Sequence, residues 1–527
     1  MANPSLQIGN SNWAIKEDNL LGYSTAGTRF VPQPITMTRA SAGTRVNSSG
    51  LVETVELLGS ELVTNGDFAT DSGWNKQPGW TISDGTANYD GSGNNYMSQN
   101  IGFSDGKTYK IKFDVTAISQ GTINLYVNKP AFTLVKSATQ TGSYEVFVTV
   151  TGGSQVIYFY SASNFIGSID NVSIKESTKN NLARVDYDGT ASSLLVEPER
   201  RNLVTYSEVI SNLNFLTNGT GTNTITDNYT DSPEGVQNAS RVQVSIVDTN
   251  DGANYRLIDL GSVMTNGVTR EISFYAKSLT GLNQEVLVYW SYGKQIVTLT
   301  NDWQRFEISG TSTNSGAVLI GTRGGTTQYY AGGDANLDFA LWGLQVEDDG
   351  SGGGSSYATS YIPTDGGTVT RVQDQYSKTG ISNLINSEEG VLFLEMAALS
   401  NDGTYRLMNI RDVSNTDNFI YLGYKDASNT IRTRIEVGGV ASTDMEFVLS
   451  NETEFNKIAI KWKTNDFALW VNGVEVATDS SGVSFTANTL DELSLDRNGS
   501  LEFNGKVKQL QVFKTALTDS ELIALTT

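Results

Sequence analysis

The sequence predicts an all-β, multi-domain protein built of antiparallel β-sandwiches, and three observations carry that expectation. Short runs rich in Val, Ile, Tyr and Phe recur with period two; turn residues punctuate them, with 52 Gly against 8 Pro; and helical periodicity is confined to the extreme C-terminus. In residues 109–115 (YKIKFDV), Tyr, Ile, Phe and Val alternate with Lys, Lys and Asp, which places the apolar set on one sheet face. Segments of the same kind follow at 144–150, 272–277 and 458–463. A chain of 527 residues has room for roughly three to four domains, each with its own core.

Composition narrows the chemistry. The chain has neither His nor Cys, which removes the commonest general base, the commonest transition-metal ligand and the thiol nucleophile. Serine–histidine triads, thiol proteases and histidine–zinc hydrolases are excluded, leaving carboxylate chemistry, or lysine and tyrosine in rarer roles. With no disulfide, stability must come from large sheets and from oligomer contacts. A formal charge of −21 opposes binding to nucleic acid and to anionic lipid, whose phosphates need Lys or Arg; the acidity serves either solubility or an acidic binding surface. The start, MANPSLQIGN, has no basic n-region and no apolar h-region, and no later run is long enough to span a bilayer, so cytosolic synthesis without membrane insertion is expected.

A split motif organises the chain. Residues 38–53 (TRASAGTRVNSSGLVE) find their continuation only at 181–189 (NLARVDYDG) and 194–208 (LLVEPERRNLVTYSE). These pieces resemble a run found in bacteriophage tail and other virion proteins, where they are close neighbours. Here more than a hundred residues of β-patterned sequence separate them, which reads as a module spliced into a loop of a phage-type scaffold. A second phage-like segment is 356–374 (SYATSYIPTDGGTVTRVQD), preceded by a Gly-rich stretch at 349–354. Pro363 biases Ile362 away from helix, so this segment is expected as an extended, ordered connector, with a flexible linker at 349–354 as the competing reading.

An internal repeat fills the middle. Residues 61–176 open with ELVTNGDFATDSGW and close with IDNVSIKE, while 202–347 open with NLVTYSE and close with LWGLQVE. Both copies resemble jelly rolls of the carbohydrate-binding-module type. From about Ser377, the run KIAIKWKTNDFALWVNGVEVA (457–477) and the finish FNGKVKQLQVFKTALTDSELIAL (503–525) resemble a concanavalin A-like, laminin-G-like sandwich. Asn472-Gly473 suits a type I′ hairpin turn. Thr518 is placed as an N-cap with Glu521 three residues on, flanked by a Leu517/Leu522 staple. The expected division is therefore 1–60 (N-terminal attachment arm and first part of the scaffold), 61–176 (inserted jelly roll), 177–201 (scaffold continuation), 202–348 (second jelly roll), 349–376 (linker and connector) and 377–527 (concanavalin A-like sandwich). The arm, 1–34, is weakly patterned; docking onto a neighbouring subunit and terminal disorder both stand as readings.

Sugar rings stack their C–H faces on aromatic rings, while Asn, Asp, Gln and Arg read their hydroxyls. The resemblance to carbohydrate-binding modules therefore singles out Trp74, Trp80, Tyr89, Tyr96 and Tyr126 in the first copy and Tyr289, Trp290 and Tyr292 in the second as glycan-binding candidates. Burial in the core is the competing reading for Trp74 and Trp80, and the second copy shares the ambiguity. Trp342 is expected to pack in the closing strand. In related modules a structural calcium lies between the opening segment and an aspartate of the closing strand, positions matched here by Asp67 and Asp170; the alternative is that both aspartates are satisfied in turns. The second copy has Ser207 and Trp342 there instead. No cofactor is otherwise required.

Catalysis finds little support. Glycosidases of the related fold carry two glutamates on one strand with an aspartate between them, and retaining chemistry sets carboxyls ~5 Å apart. No such run occurs; the nearest, 491–496 (DELSLD), has the wrong spacing and is expected as a loop before a strand. The reading is thus a non-enzymatic bacteriophage virion protein, an appendage, fibre or decoration that binds host-surface glycans. Its expected partners are other virion proteins, host glycans and itself in a homo-oligomer with a trimer favoured. A purely structural virion component, a polysaccharide depolymerase and a free bacterial lectin or adhesin are the alternatives.

Overall fold

The computed structural model describes residues 3–9, 14–16, 19–26, 29–129, 131–152, 155–326, 331–497 and 499–527. Antiparallel strands dominate, with one α-helix, Asp519–Thr526, and one 3₁₀ turn, Ile210–Asn212, among the described residues. The chain divides into two compact units, Glu56–Lys179 and a discontinuous one of Met1–Val55 with Asn180–Thr527. Among the described residues no helix is long and apolar enough to cross a membrane.

The unit Glu56–Lys179 is a sandwich organised by two long neighbouring strands, Thr108–Lys129 and Val156–Thr178. Their pairing slips register several times between Lys112 and Thr122, and each slip bends the ribbon. As a result the first half of Thr108–Lys129 pairs with Gly142–Thr149 and the second half with Ala131–Ala138. Gly121 sits in the bend at φ +75°, where a Cβ would lie 2.6 Å from the Ser163 carbonyl oxygen, so no other residue fits. The two-residue alternation seen in the sequence holds: Tyr109, Ile111, Phe113 and Val115 are all buried, as are Ile123, Leu125 and Val127 beyond the bend. The ends of the unit meet, because Leu57–Glu61 pairs with the tail of Val156–Thr178.

The discontinuous unit holds two sandwiches. One has a seven-stranded sheet centred on Asn336–Asp348, which pairs with Gln237–Ser245, Thr269–Ser278 and Arg200–Asn202. It faces a five-stranded sheet that includes Tyr255–Asp259, Gln284–Trp290 and Val318–Arg323. Val242, Phe274, Ile308 and Leu341 meet Ile258, Val286 and Ile320 in the core between the sheets.

The other sandwich is one hydrogen-bonded sheet that curls round a single core. Its strand Gly505–Phe513 pairs with Glu389–Ala398 along one edge and with Leu6–Gly9 and Ala191–Val196 along the other. Leu6, Ile8, Ile35, Met37 and Leu194 therefore share a core with Met408, Ile460 and Leu510. The expected N-terminal arm lies partly outside the described residues, but Leu6–Gly9 is a correction to it: these residues complete the sheet, with Leu6 and Ile8 buried.

Local expectations near the C-terminus are met. Asn472 and Gly473 both take positive φ (48° and 83°) between the paired strands Phe467–Val471 and Val474–Asp479. The Glu521 carboxylate accepts from the Thr518 backbone N–H at 3.0 Å, and Leu517 and Leu522 are buried together against Trp470. The connector is ordered, with Tyr361 and Ile362 buried and the Ile362 carbonyl accepting from Asn202 Nδ2 at 2.9 Å. The Gly-rich stretch before it is a set turn: Asp349 Oδ1 accepts from the N–H groups of Ser351 and Gly353 at 3.0 and 2.7 Å.

Candidate functional site

The outward face of the Glu56–Lys179 unit carries a continuous group of aromatic rings. On Thr108–Lys129, Leu125 and Val127 point into the core, so Asn124 and Tyr126 point out; on Val156–Thr178, Ile157 and Phe159 point in, so Tyr158 and Tyr160 point out. Register places Tyr126 opposite Tyr158, Asn124 opposite Tyr160, and Tyr96 of the next strand opposite Tyr160. Tyr126 stacks on Phe132 with centroids 4.2 Å apart and planes 8° from parallel. Phe132 meets the edge of Tyr158 at 5.0 Å, Tyr126 meets Tyr160 at 5.9 Å, and Tyr96 meets Tyr158 at 5.1 Å.

This face is accessible. Phe132 is 50% exposed and Leu134 beside it 47%, while the four tyrosines are half-buried. None of these rings belongs to the core cluster of the unit. Asn124 lies among them with its Oδ1 buried and without a partner. Ring–ring contacts hold the platform in shape before anything binds.

The sequence candidates separate into two groups. Tyr96 and Tyr126 lie on this face. Trp74, Trp80 and Tyr89 do not: they are 7%, 5% and 3% exposed. Trp74 packs on Phe68 and Phe159 and donates from Nε1 to the Asn65 carbonyl at 3.0 Å. Trp80 packs on Tyr89, whose hydroxyl donates to the Gly93 carbonyl at 2.9 Å. Their indole and phenol groups are core pieces with internal partners, which corrects the glycan-binding expectation for these three. In the second copy Trp290 is buried in the core and Tyr289 packs against Leu257, Leu287 and Leu319, leaving Tyr292 exposed at a positive-φ turn. Trp342 is fully buried, 4.5 Å from Tyr361.

Composition alone pointed past Phe132, Tyr158 and Tyr160. The signal was there in VIYFYSAS, whose alternation puts two tyrosines on the face opposite the apolar residues.

Among the described residues no group of three or more acidic side chains is placed to hold a metal ion, at Asp67 and Asp170 or elsewhere. Asp67 is exposed in a turn, and Asp170 Oδ1 accepts from the next backbone N–H, that of Asn171, at 2.6 Å. At the second-copy position, Ser207 Oγ and Tyr361 Oη are hydrogen-bonded at 2.6 Å under Trp342, with both residues buried.

The motif pieces converge instead in a buried charge clasp. Arg39, Arg184, Glu197, Arg371 and Asp374 come from all three phage-like segments and are buried together. Arg39 Nη1 donates to Asp374 Oδ1 at 2.6 Å, Arg184 bridges Asp374 and Glu197, and Arg371 Nη1 reaches Glu197 Oε2 at 2.9 Å. Ser360 donates to Glu197 from both its backbone N–H and its hydroxyl, each at 2.7 Å. Burial would raise the Glu197 carboxyl, but Arg371 and Arg184 hold it far below the usual carboxylate range. The same opposition of burial to Arg184 and Arg39 lowers Asp374. Each charge faces a counter-charge, so the clasp joins the three segments.

The acidic run 491–496 is likewise structural, but not as the expected loop: Glu492–Ser494 is itself a buried strand. Glu492 is buried and paired with Arg411, and Asp491 Oδ1 accepts from the Val413 N–H at 2.9 Å. Glu271 and Glu347 stand opposite each other on neighbouring strands, but both are buried, at 2% and 0% exposure, out of reach of a polymer.

Residues 394–523 match the family model Laminin_G_3, described as the concanavalin A-like lectin/glucanases superfamily. No curated protein matches the chain. Among solved structures, the chain is similar to the CBM40 of the Ruminococcus gnavus IT-sialidase, at 22% identity over 27% of this chain and 84% of that one, with TM-score 0.23. It is similar to the leech intramolecular trans-sialidase, at 23% identity over 27% of this chain and 23% of that one, with TM-score 0.24. It is also similar to the N-terminal CBM22-1-CBM22-2 tandem of Paenibacillus barcinonensis Xyn10C, at 11% identity over 55% of this chain and 98% of that one, with TM-score 0.20. The chain spans less than a quarter of the trans-sialidase. Likenesses of this strength carry no argument about function.

Proposed function

We propose that this protein binds glycans without cleaving them, and that it does so as a surface component of a bacteriophage virion. The observation that carries the binding is the exposed ring platform of Tyr96, Tyr126, Phe132, Tyr158 and Tyr160 around Asn124. Flat aromatic faces offer a sugar its stacking surface. The match of residues 394–523 to a superfamily described as lectins and glucanases is consistent with carbohydrate recognition. The virion assignment draws on the resemblance of residues 38–53, 181–208 and 356–374 to phage proteins. A homotrimer or another cyclic oligomer fits this role, since several weak sites facing one surface gain avidity.

The test is a glycan array probed with the full chain, followed by prolonged incubation with any polysaccharide that binds. Retention with unchanged chain length supports the reading. Progressive shortening would replace it with a depolymerase, and the absence of any bound glycan with the purely structural alternative.

A further inference from the structure

The discontinuous unit holds a cleft of its own. A cleft of about 340 Å³ opens above the charge clasp, bounded by the hairpin end around Asp186, Tyr187 and Asp188, by Tyr275 and Arg305 of the neighbouring sandwich, and by the connector at 358–361. Glu197 and Ser360 of the clasp form part of its wall. The volume stands at the lower end of the range for small-molecule sites, roughly 300–1,000 Å³, which suits a mono- or disaccharide and is too small for a folded or extended polymer to enter.

The lining decides the ligand's chemistry. Its three cations are already neutralised: Arg45 Nη2 by Glu53 at 2.7 Å, Arg305 Nη1 by Glu307 at 3.1 Å and Lys506 Nζ by Asp186 at 3.0 Å. Of the four carboxylates that line the cleft, those of Asp186, Glu197 and Glu307 are paired with Lys506, Arg184 and Arg371, and Arg305, which leaves Asp188, so an anion would find no unpaired cation and one free carboxylate. The groups left over are hydrogen-bonding ones. Asp188 is exposed, Arg305 Nε is buried without a partner, and the hydroxyls of Tyr187 and Tyr275 have no partner among the described residues. A carboxylate acceptor, a guanidinium donor held in place by its ion pair, and two phenol rings are what an uncharged polyol needs for recognition on several sides.

We infer that this cleft binds an uncharged mono- or disaccharide unit. The binding is independent of the platform and is centred on Tyr187, Asp188, Tyr275 and Arg305.

The test is saturation-transfer NMR on the full chain with a panel of neutral sugars (glucose, galactose, N-acetylglucosamine, maltose, cellobiose and lactose), and with glucuronic acid as the anionic control. At least one neutral sugar should bind, and Tyr187→Ala and Asp188→Asn should weaken it at least about tenfold, whereas Phe132→Ala should leave it unchanged. Unaltered melting curves establish that the variants fold, and Tyr275→Phe, which removes only a hydroxyl, gives the same readout should Tyr187→Ala unfold. The inference is overturned if no panel sugar binds, if glucuronic acid binds more tightly than the neutral sugars, or if Phe132→Ala abolishes the signal while Asp188→Asn and Tyr275→Phe do not.

Discussion

Tyr126 and Phe132 stack nearly parallel, 4.2 Å between centroids, on the outside of a sheet where Phe132 is half exposed to solvent. An exposed ring pair of this kind adds nothing to the core of its unit, whose cluster excludes both residues. The binding proposed for this surface rests on that pair.

Removing that ring pair should cost binding and not fold. Phe132→Ala and Tyr126→Ala are each expected to weaken glycan retention about tenfold, the equivalent of ~1.4 kcal/mol, with the melting temperature little changed. By contrast Trp74→Ala should destabilise by about 3–5 kcal/mol, because it empties a core position. Affinity electrophoresis in polysaccharide gels, paired with thermal melts, separates the two effects. A Phe132→Ala protein that binds as wild type would remove the platform from the account.

The unit Glu56–Lys179 should fold when excised. Its core residues, from Phe68 to Ile174, all lie within it, and its first and last strands pair with each other. A fragment of residues 56–179 is expected to give a single cooperative denaturant transition. A non-cooperative baseline would show that it depends on the rest of the chain.

Asp374→Asn should be among the most damaging single substitutions. It leaves Arg39 and Arg184 buried with one fewer counter-charge, and breaking a buried pair typically costs about 3–5 kcal/mol. The folded-state carboxyl lies below its ordinary value of 3.8, so the stability it contributes is complete above the unfolded value and is lost as the pH falls through the folded one. Chemical denaturation at pH 7 and pH 3 should accordingly show a large gap between wild type and variant that narrows in acid.

Glu271 titrates in the opposite sense. Burial, with Glu347 opposite, pushes its carboxyl up to about 7, against the partial relief of the Ser309 hydroxyl. Between the ordinary value of 4.5 and about 7 the folded protein holds a proton that the unfolded chain releases, so this contribution is present in acid and is lost as the pH rises. Glu271→Gln keeps the neutral hydrogen-bonding shape. It should match wild type at pH 4.5 and melt about 2–4 °C higher at pH 8. An equal effect at both values would mean that Glu271 is charged throughout.

Much of the architecture was legible in the residues because strands obey a local rule. Alternation in YKIKFDV assigned Tyr109, Ile111, Phe113 and Val115 to one buried face, Asn472-Gly473 named its own hairpin, and Thr518 with Glu521 named the start of the helix. Each of these depends on neighbours a few positions away, which a single sequence displays in full.

What only the tertiary structure decided is which faces stay uncovered and which distant charges meet. Trp80 and Tyr126 are both aromatic residues of the same β-patterned unit, yet one is 5% exposed and packed on Tyr89 while the other lies in the outer ring platform. The difference is made by whatever strand lies across each face, a non-local fact. Arg39 and Asp374 stand in two remote motifs and carry no local sign of pairing; they meet in the buried clasp because the chain returns 335 positions later to the same point. Period and propensity report the direction of a side chain relative to its own backbone; burial, pairing and access depend on the rest of the fold.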